Sequence, residues 1–237
     1  MKVIGIIPAR YASSRFPGKP LADILGKSMI QRVYEQCKKA NSLSDVIVAT
    51  DDKRIFNHIL SFGGQALMTA ISHVSGTDRC HEVIQSLDTK YDVAINIQGD
   101  EPFINPEQIN QIASLFSSPE ICIATLARKI ESLSLLTDIN SPKAIFDNHG
   151  IAQNFCRSIT QIKPIQAYYK HIGIYGYRTQ TLAKIFKLPP SENEKTERLE
   201  QLRWLDNGYK IKVGITTFES LSVDTPEDID KIKAQMR

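Results

Sequence analysis

The stretch Val3-Ile4-Gly5-Ile6-Ile7-Pro8-Ala9-Arg10-Tyr11-Ala12-Ser13-Ser14-Arg15-Phe16-Pro17-Gly18-Lys19-Pro20 decides the fold. Residues 3–7 are continuously apolar and stop at Pro8, the pattern of a strand buried on both faces. Three cations, Arg10, Arg15 and Lys19, follow directly among small residues. Ala12, Ser13, Ser14 and Gly18 let backbone N–H groups approach an anion. Arginine grips phosphate oxygens bidentately, and lysine acts as a point charge. A solvated basic loop is the plainer reading. Its place at a strand's carboxyl end favours a polyphosphate loop, because ligands of open α/β sheets bind there. The spacing matches neither a Walker A loop nor a GxGxxG turn.

Working outward, residues 46–49, 92–97 and 122–127 read as further buried strands. Helical spacing runs through residues 29–39, 54–61 and 106–116. Thr50-Asp51-Asp52 can cap the second of these helices, and Gly63-Gly64 ends it. Strands alternating with helices imply a mostly parallel, doubly wound α/β sheet. In the second half, residues 144–146, 171–177 and 211–215 look like strands with fewer helices between them. One charged helix is expected over 194–205 and a last one over 226–236. The expected organisation is a single domain over 1–237, with a smaller inserted lobe at about 128–210.

Composition narrows the partners. A net charge of +3, with no block of like charges, argues against nucleic acid. No apolar run reaches the length of a membrane span, and the short one after Met1 is interrupted by Pro8. Cys37, Cys80, Cys122 and Cys156 form no CxxC pair and are expected as free thiols. A cytoplasmic protein is expected.

A second motif is Asn96-Ile97-Gln98-Gly99-Asp100-Glu101-Pro102. A strand runs into Gly99, read as permitting a tight turn, and delivers Asp100 to the sheet edge. A carboxylate there can hold Mg²⁺ against a triphosphate, though a solvated turn looks the same in sequence. Asp224, in Val223-Asp224-Thr225-Pro226-Glu227-Asp228, reads first as a helix cap, by itself or through Thr225. Magnesium takes few protein carboxylates, so Asp100 and Asp224 suffice.

Together PARYASSRFPGKPL, NIQGDEP, HVSGTDR, HIGIYGYR, LEQLR and VDTPEDI, in that order and nearly end to end, resemble the CMP-KDO synthetase family. These are the 3-deoxy-manno-octulosonate cytidylyltransferases of lipopolysaccharide assembly. The resemblance implies a Rossmann-like nucleotidyltransferase with a sugar-binding and dimerisation lobe. Its substrates would be CTP and an acidic sugar (KDO), its cofactor Mg²⁺ and its assembly a homodimer. By the same resemblance, Ala9, Arg10, Ser14, Arg15 and Lys19 bind the nucleotide phosphates. Ser75, Gly76, Thr77 and Arg79 form a loop over the cytidine. Asp100 and Asp224 hold the metal, and Arg15 and Lys19 also serve the departing pyrophosphate. Gln98, Arg157, His171, Tyr175, Glu200 and Gln201 line the sugar pocket.

Read without the family, these sugar-side residues have ordinary explanations. His171 belongs to a strand end, Tyr175 and Tyr177 to the core, and Glu200 to an i,i+3 pair with Arg203. The chain departs from the family at residues 158–169, which lack the Trp-Asp-Arg-Asp run, at Ile71-Ser72-His73, and at Asp78, which replaces a Glu. A transferase for another acidic sugar, such as 8-amino-KDO or sialic acid, is the near alternative. A non-catalytic nucleotide-binding module is the distant one, and both carboxylates argue against it.

Overall fold

The computed structural model describes residues 1–12, 16–132, 134–159, 167–219 and 221–235. Ser14 and Arg15, two of the expected phosphate ligands, lie outside the described residues, as does Met236.

The first strand, β1 (Val3–Ala9), is buried almost throughout and lies at the heart of a sheet. A short 3-10 turn (Lys19–Leu21) and a hairpin of β2 (Asp23–Ile24) and β3 (Lys27–Ser28) lead into α1 (Met29–Cys37). Ser28 caps α1 by accepting from the Gln31 N–H at 3.2 Å. β4 (Asp45–Thr50) pairs with β1 in parallel, and α2 (Lys53–Ser61) follows at once. Asp52 is the α2 cap, its Oδ1 accepting from the Arg54 N–H at 2.8 Å. Gly63, at φ 78°, turns the chain off the helix as expected.

β5 (Ala66–Met68) forms an edge beside β4 that the sequence pattern does not reveal. Next come α3 (Gly76–Ser86) and β6 (Val93–Asn96), which pairs in parallel with β1. α4 (Pro106–Leu115) carries a capping box between Asn105 and Gln108. Beyond it lie β7 (Ile123–Lys129), α5 (Ser134–Thr137), β8 (Lys143–Phe146) and β9 (Ala152–Cys156). β10 (Tyr169–Arg178), α6 (Thr179–Ile185), α7 (Glu192–Glu197), α8 (Gln201–Asp206), β11 (Ile211–Thr216) and α9 (Pro226–Gln235) complete the order.

Among the described residues, nine strands make one sheet, ordered β11-β7-β10-β6-β1-β4-β5, with β8 and β9 attached beside β10. Its core is the parallel α/β arrangement expected. The exception is β10, which lies antiparallel between β6 and β7. β10 is also the strand that brings residues 169–178 into the middle of the sheet, while β8 and β9 extend from it.

Two apolar clusters cover the sheet, one including Ile7, Val33, Ile95 and Ile112, the other Ile6, Ala94, Val83 and Trp204. Burial on this scale contributes roughly 25 cal/mol per Å² of apolar surface. A third, smaller cluster joins Ile24 and Met29 to Val223, Ile229 and Ile232. It docks α9 beside the end of the phosphate-loop candidate, where Phe16 and Ala22 pack against it.

The charged run expected as one helix is two. α7 ends at Arg198, which adopts a left-handed conformation at φ 54°, and α8 starts after Glu200. The four cysteines are free thiols.

Candidate active site

Strand ends create the site. β1 delivers Pro8, Ala9 and Arg10 to the carboxyl edge of the sheet, and β6 delivers Gln98, Gly99 and Asp100 beside them. Gly99 is not in the left-handed region. Glycine is required there for closeness: a Cβ would lie 2.7 Å from the Pro8 carbonyl oxygen. The tight turn expected here is present, the Glu101 N–H donating to the Gln98 carbonyl at 3.3 Å, and the close approach of two backbones is the further reason for glycine.

Lys19 lies at the centre. Its Nζ donates to Asp100 Oδ2 at 2.7 Å and to the Val223 carbonyl at 2.8 Å. It also stands 3.8 Å from Asp224 Oδ1. The three side chains are 14%, 29% and 44% exposed for Lys19, Asp100 and Asp224, so the cluster opens to solvent on the carboxylate side. The Val223 N–H donates to the Asp100 carbonyl at 2.9 Å, fastening the late segment to the β6 turn. Two carboxylates far apart in sequence thus meet one ammonium.

Thr225 directly precedes Pro226, the first residue of α9, at the cap position expected. Asp228, in the first turn, accepts at Oδ2 from the N–H groups of Asp224 and Thr225, at 3.1 and 3.0 Å, as the acidic member of a capping box does. Asp228 is held down to about 2 in pKa, chiefly by its Lys231 partner. Asp224, next to this cap, has its Oδ1 turned toward Lys19.

These groups border a cavity of about 530 Å³ lined by Arg10, Lys19, Ser75, Gly76, Asp100 and Asp224, among others. Val74, Ala12 and Pro20 also line it. Val74 carries no sequence signal for such a role.

The Ser75–Arg79 segment is not a loop. Ser75 caps α3 by accepting from the Asp78 N–H at 3.1 Å, and Asp78 returns the favour at the Ser75 N–H, also 3.1 Å. The Asp78 carboxylate therefore shapes the helix start. Gly76 fits because a Cβ would press on Asn96 and Pro8 at 3.1–3.2 Å. Arg79 faces the cavity wall but is buried, its guanidinium held by Asp51 at 2.6 Å and Thr69 Oγ1 at 2.7 Å. Its charge is compensated within the fold.

Sugar-side candidates differ in how far the fold already engages them. Gln98, Tyr175, Glu200 and Gln201 lie near α3 and β10. Gln98 Nε2 donates to the Gly173 carbonyl at 2.8 Å. Thr77 Oγ1 donates to Glu200 Oε2 at 3.0 Å, while Glu200 Oε1 and Gln201 Nε2 have no direct partner. Burial raises the Glu200 carboxyl above its ordinary range, against the lowering effect of Thr77. Tyr175 and Tyr177 stack at 6.1 Å with Trp204 edge-on to both rings, and burial pushes both phenols up.

The expected Glu200–Arg203 pair does not form. Arg203 instead grips Glu194 through two bonds of 2.7 and 2.5 Å, because that carboxylate meets the guanidinium fork face on. Arg157 and His171 are each engaged internally, and the His171 ring also meets that of Tyr175, with centroids 5.3 Å apart. The Arg157 guanidinium donates to the carbonyls of Glu197 at 2.6 Å, Ile139 at 2.8 Å and Arg198 at 3.1 Å. His171 is buried, its Nε2 at 3.0 Å from Thr125 Oγ1, and burial lowers its pKa to about 3.

A profile described as cytidylyltransferase matches residues 4–211. A 3-deoxy-manno-octulosonate cytidylyltransferase of Parabacteroides distasonis is 54% identical, over 99% of this chain and 98% of its own. One of Bacteroides thetaiotaomicron is 50% identical over 97% and 96%. The chain belongs to the 3-deoxy-manno-octulosonate cytidylyltransferase family. A solved CMP:2-keto-3-deoxy-manno-octonic acid synthetase, complexed with CTP, superposes on this cytidylyltransferase with a TM-score of 0.94 at 39% identity, covering 100% of this chain and 98% of that one. A 4-diphosphocytidyl-2C-methyl-D-erythritol synthase of Anaerococcus prevotii shares the fold alone, at a TM-score of 0.66 and 14% identity, with 99% and 98% covered.

Proposed function

We propose that this cytidylyltransferase joins the CMP moiety of CTP to 3-deoxy-manno-octulosonate and releases pyrophosphate. The observation that carries the reading is the meeting of Asp100 and Asp224 at Lys19 Nζ beside the cavity. In the reaction, the sugar's anomeric hydroxyl forms a bond to the α-phosphorus, and the bond from that phosphorus to the departing pyrophosphate oxygen breaks in line. The protein's work is positioning and charge neutralisation.

The donor set suits magnesium. Among the described residues no cluster of three His, Cys, Asp or Glu forms a metal cage. Mg²⁺ asks for less: one or two carboxylates, with phosphates and waters completing its shell. Asp100 and Asp224 would hold it, and the ion would supply charge neutralisation at the α-phosphate and acidify the attacking hydroxyl. Lys19 and Arg10 contact the phosphates and stabilise the leaving pyrophosphate. Ser75 and Gly76, at the start of α3, border the nucleotide with the positive end of the helix. Gln98, Tyr175, Glu200 and Gln201 face the sugar. Glu200 Oε1, buried with no direct partner, is the acceptor suited to a sugar hydroxyl. Arg157 acts on that pocket through the α7 carbonyls, with β8, β9, α7 and α8 forming the sugar-side lobe.

By likeness to the family, the reaction belongs to lipopolysaccharide biosynthesis, in the cytoplasm, with a homodimer as the working unit. Among the described residues no helix is long and apolar enough to cross a membrane. Light scattering of the purified protein tests the dimer. A coupled pyrophosphate assay with CTP and Mg²⁺ against a panel of acidic sugars tests the activity. Release with 3-deoxy-manno-octulosonate in preference to 8-amino-KDO and sialic acid is expected; preference for either of the others would overturn the substrate assignment.

A further inference from the structure

The basic loop between Arg10 and Lys19 is closed by a contact that touches neither the cavity nor the carboxylates. The Gly18 N–H donates to the Tyr11 carbonyl at 2.9 Å, so Tyr11 and Gly18 form the loop's neck. Gly18 sits at φ 74°, and a Cβ there would lie 3.1 Å from the Tyr11 ring. The ring packs directly on the glycine. Over the face of the same ring lies the Arg54 guanidinium, its carbon 3.3 Å from the centroid. Arg54 belongs to the first turn of α2, and Asp52, the cap of that helix, fixes it twice: Nε to Oδ1 at 3.0 Å and Nη2 to Oδ2 at 2.6 Å. The guanidinium is thus oriented before it meets the ring, which is the geometry in which a cation–π contact loses least entropy.

The base of this strut is rigid. Asp52 follows β4, whose Thr50 is in register with Ala9 of β1. Neighbouring Asp51 is tied to buried Arg79 of α3. Tyr11 packs against the larger core cluster. Arg10 precedes the neck and Lys19 follows it, so a shift of the Tyr11 ring moves both cations. Neither Arg54 nor Tyr11 lines the cavity.

We infer that Arg54 and Tyr11 are a positioning pair for the triphosphate, holding the neck of the loop so that Arg10 and Lys19 meet the phosphates together. The inference rests on the reading of this loop as the phosphate site. The pair acts through the loop and does not touch substrate.

The test is steady-state kinetics with CTP and sugar varied separately, on Arg54→Met, Arg54→Lys, Tyr11→Phe, Tyr11→Leu and the double variant Arg54→Met/Tyr11→Leu. Tyr11→Phe keeps the ring and should behave as the parent. Arg54→Met and Tyr11→Leu should each weaken CTP, read as KM, by about two- to fivefold. The sugar KM should stay unchanged, and Arg54→Lys should recover part of the loss. The double variant should be no worse than the poorer single one, because both remove the same contact. Multiplying losses in the double variant, an equal rise in the sugar KM, or an unaltered CTP KM in Arg54→Met would each overturn the pair. Arg10→Ala, assayed in parallel, separates the two levels. If it leaves the CTP KM unchanged, the phosphate-loop reading fails. If it weakens CTP while Arg54→Met does not, the positioning pair alone falls.

Discussion

Acid should unfold this protein partly through one histidine. His171 is buried between Phe155 and Tyr175, with ring centroids 5.1 and 5.3 Å away, and its pKa is lowered to about 3 by burial. In the unfolded chain the same imidazole titrates near 6.5, as a rough reference value. The sign follows from proton counting. Above about pH 6.5 neither state is protonated at this site and His171 adds no pH dependence. Below it, the unfolded chain takes up a proton that the folded chain refuses, so stability falls at about 1.4 kcal/mol per pH unit until roughly pH 3. Going to pH 5 should therefore remove about 2 kcal/mol.

Urea unfolding followed by the fluorescence of Trp204, the one tryptophan in the chain, measures this at pH 7.5 and 5.0. His171→Gln serves as reference: an amide can meet Thr125 and does not titrate. Carboxylates whose pKa the fold lowers, such as Asp228, lose stability in acid in both proteins and cancel in the difference. The gap in unfolding free energy between parent and variant should shift by about 2 kcal/mol toward the variant on acidification. A gap that stays constant with pH would refute the reasoning. The same burial means that His171 is a neutral hydrogen-bonding group near neutral pH, not a cation for a sugar carboxylate.

Three other outcomes are expected. Asp100→Ala should cut kcat about a hundredfold or more while circular dichroism is unchanged, and chelation of divalent metal should silence the parent until Mg²⁺ is restored; near-normal pyrophosphate release in either case would contradict the metal role. Gly99→Ala must push the Asp100 turn away from the Pro8 carbonyl, since no Cβ fits at 2.7 Å; roughly tenfold lower kcat, with a small loss of melting temperature, is the expected reading. Arg203→Met strands Glu194, only 13% exposed, without its guanidinium, and should cost about 3 kcal/mol in urea unfolding while leaving the CTP KM in place.

The parts of the site that sequence reveals are those made by local rules. An apolar run stopped by Pro8 is a buried strand, and whatever follows it must emerge at the sheet's carboxyl edge. The same logic placed Asp100. Long-range placements are different in kind. Nothing local distinguishes β10 from a parallel strand, because orientation is set by β6 and β7, which flank it. Arg79 lines the cavity, and the Asp51 carboxylate that holds its guanidinium is announced by no local pattern. The start of α3 was legible in principle, for Ser75 and Asp78 stand three apart as a capping box does, but Gly76 reads as loop. The break at Arg198 has no signal, since arginine seldom takes a left-handed conformation. Glu200 and Arg203 have the spacing of an ion pair, yet a competitor nine residues away from the arginine takes it.

The ammonium of Lys19 reaches a carbonyl 204 positions further along the chain. That single bond makes the segment leading into α9 a wall of the chamber bordered by Arg10, Lys19 and Asp100, although it is remote from all three in sequence. Clipping the chain before residue 223 would spare the nine-strand sheet and still remove one carboxylate, one carbonyl and three of the five buried residues of a small apolar cluster. Loss of activity and retention of fold would then part company, and protease protection of α9 by CTP would report occupancy of the chamber from its outer side.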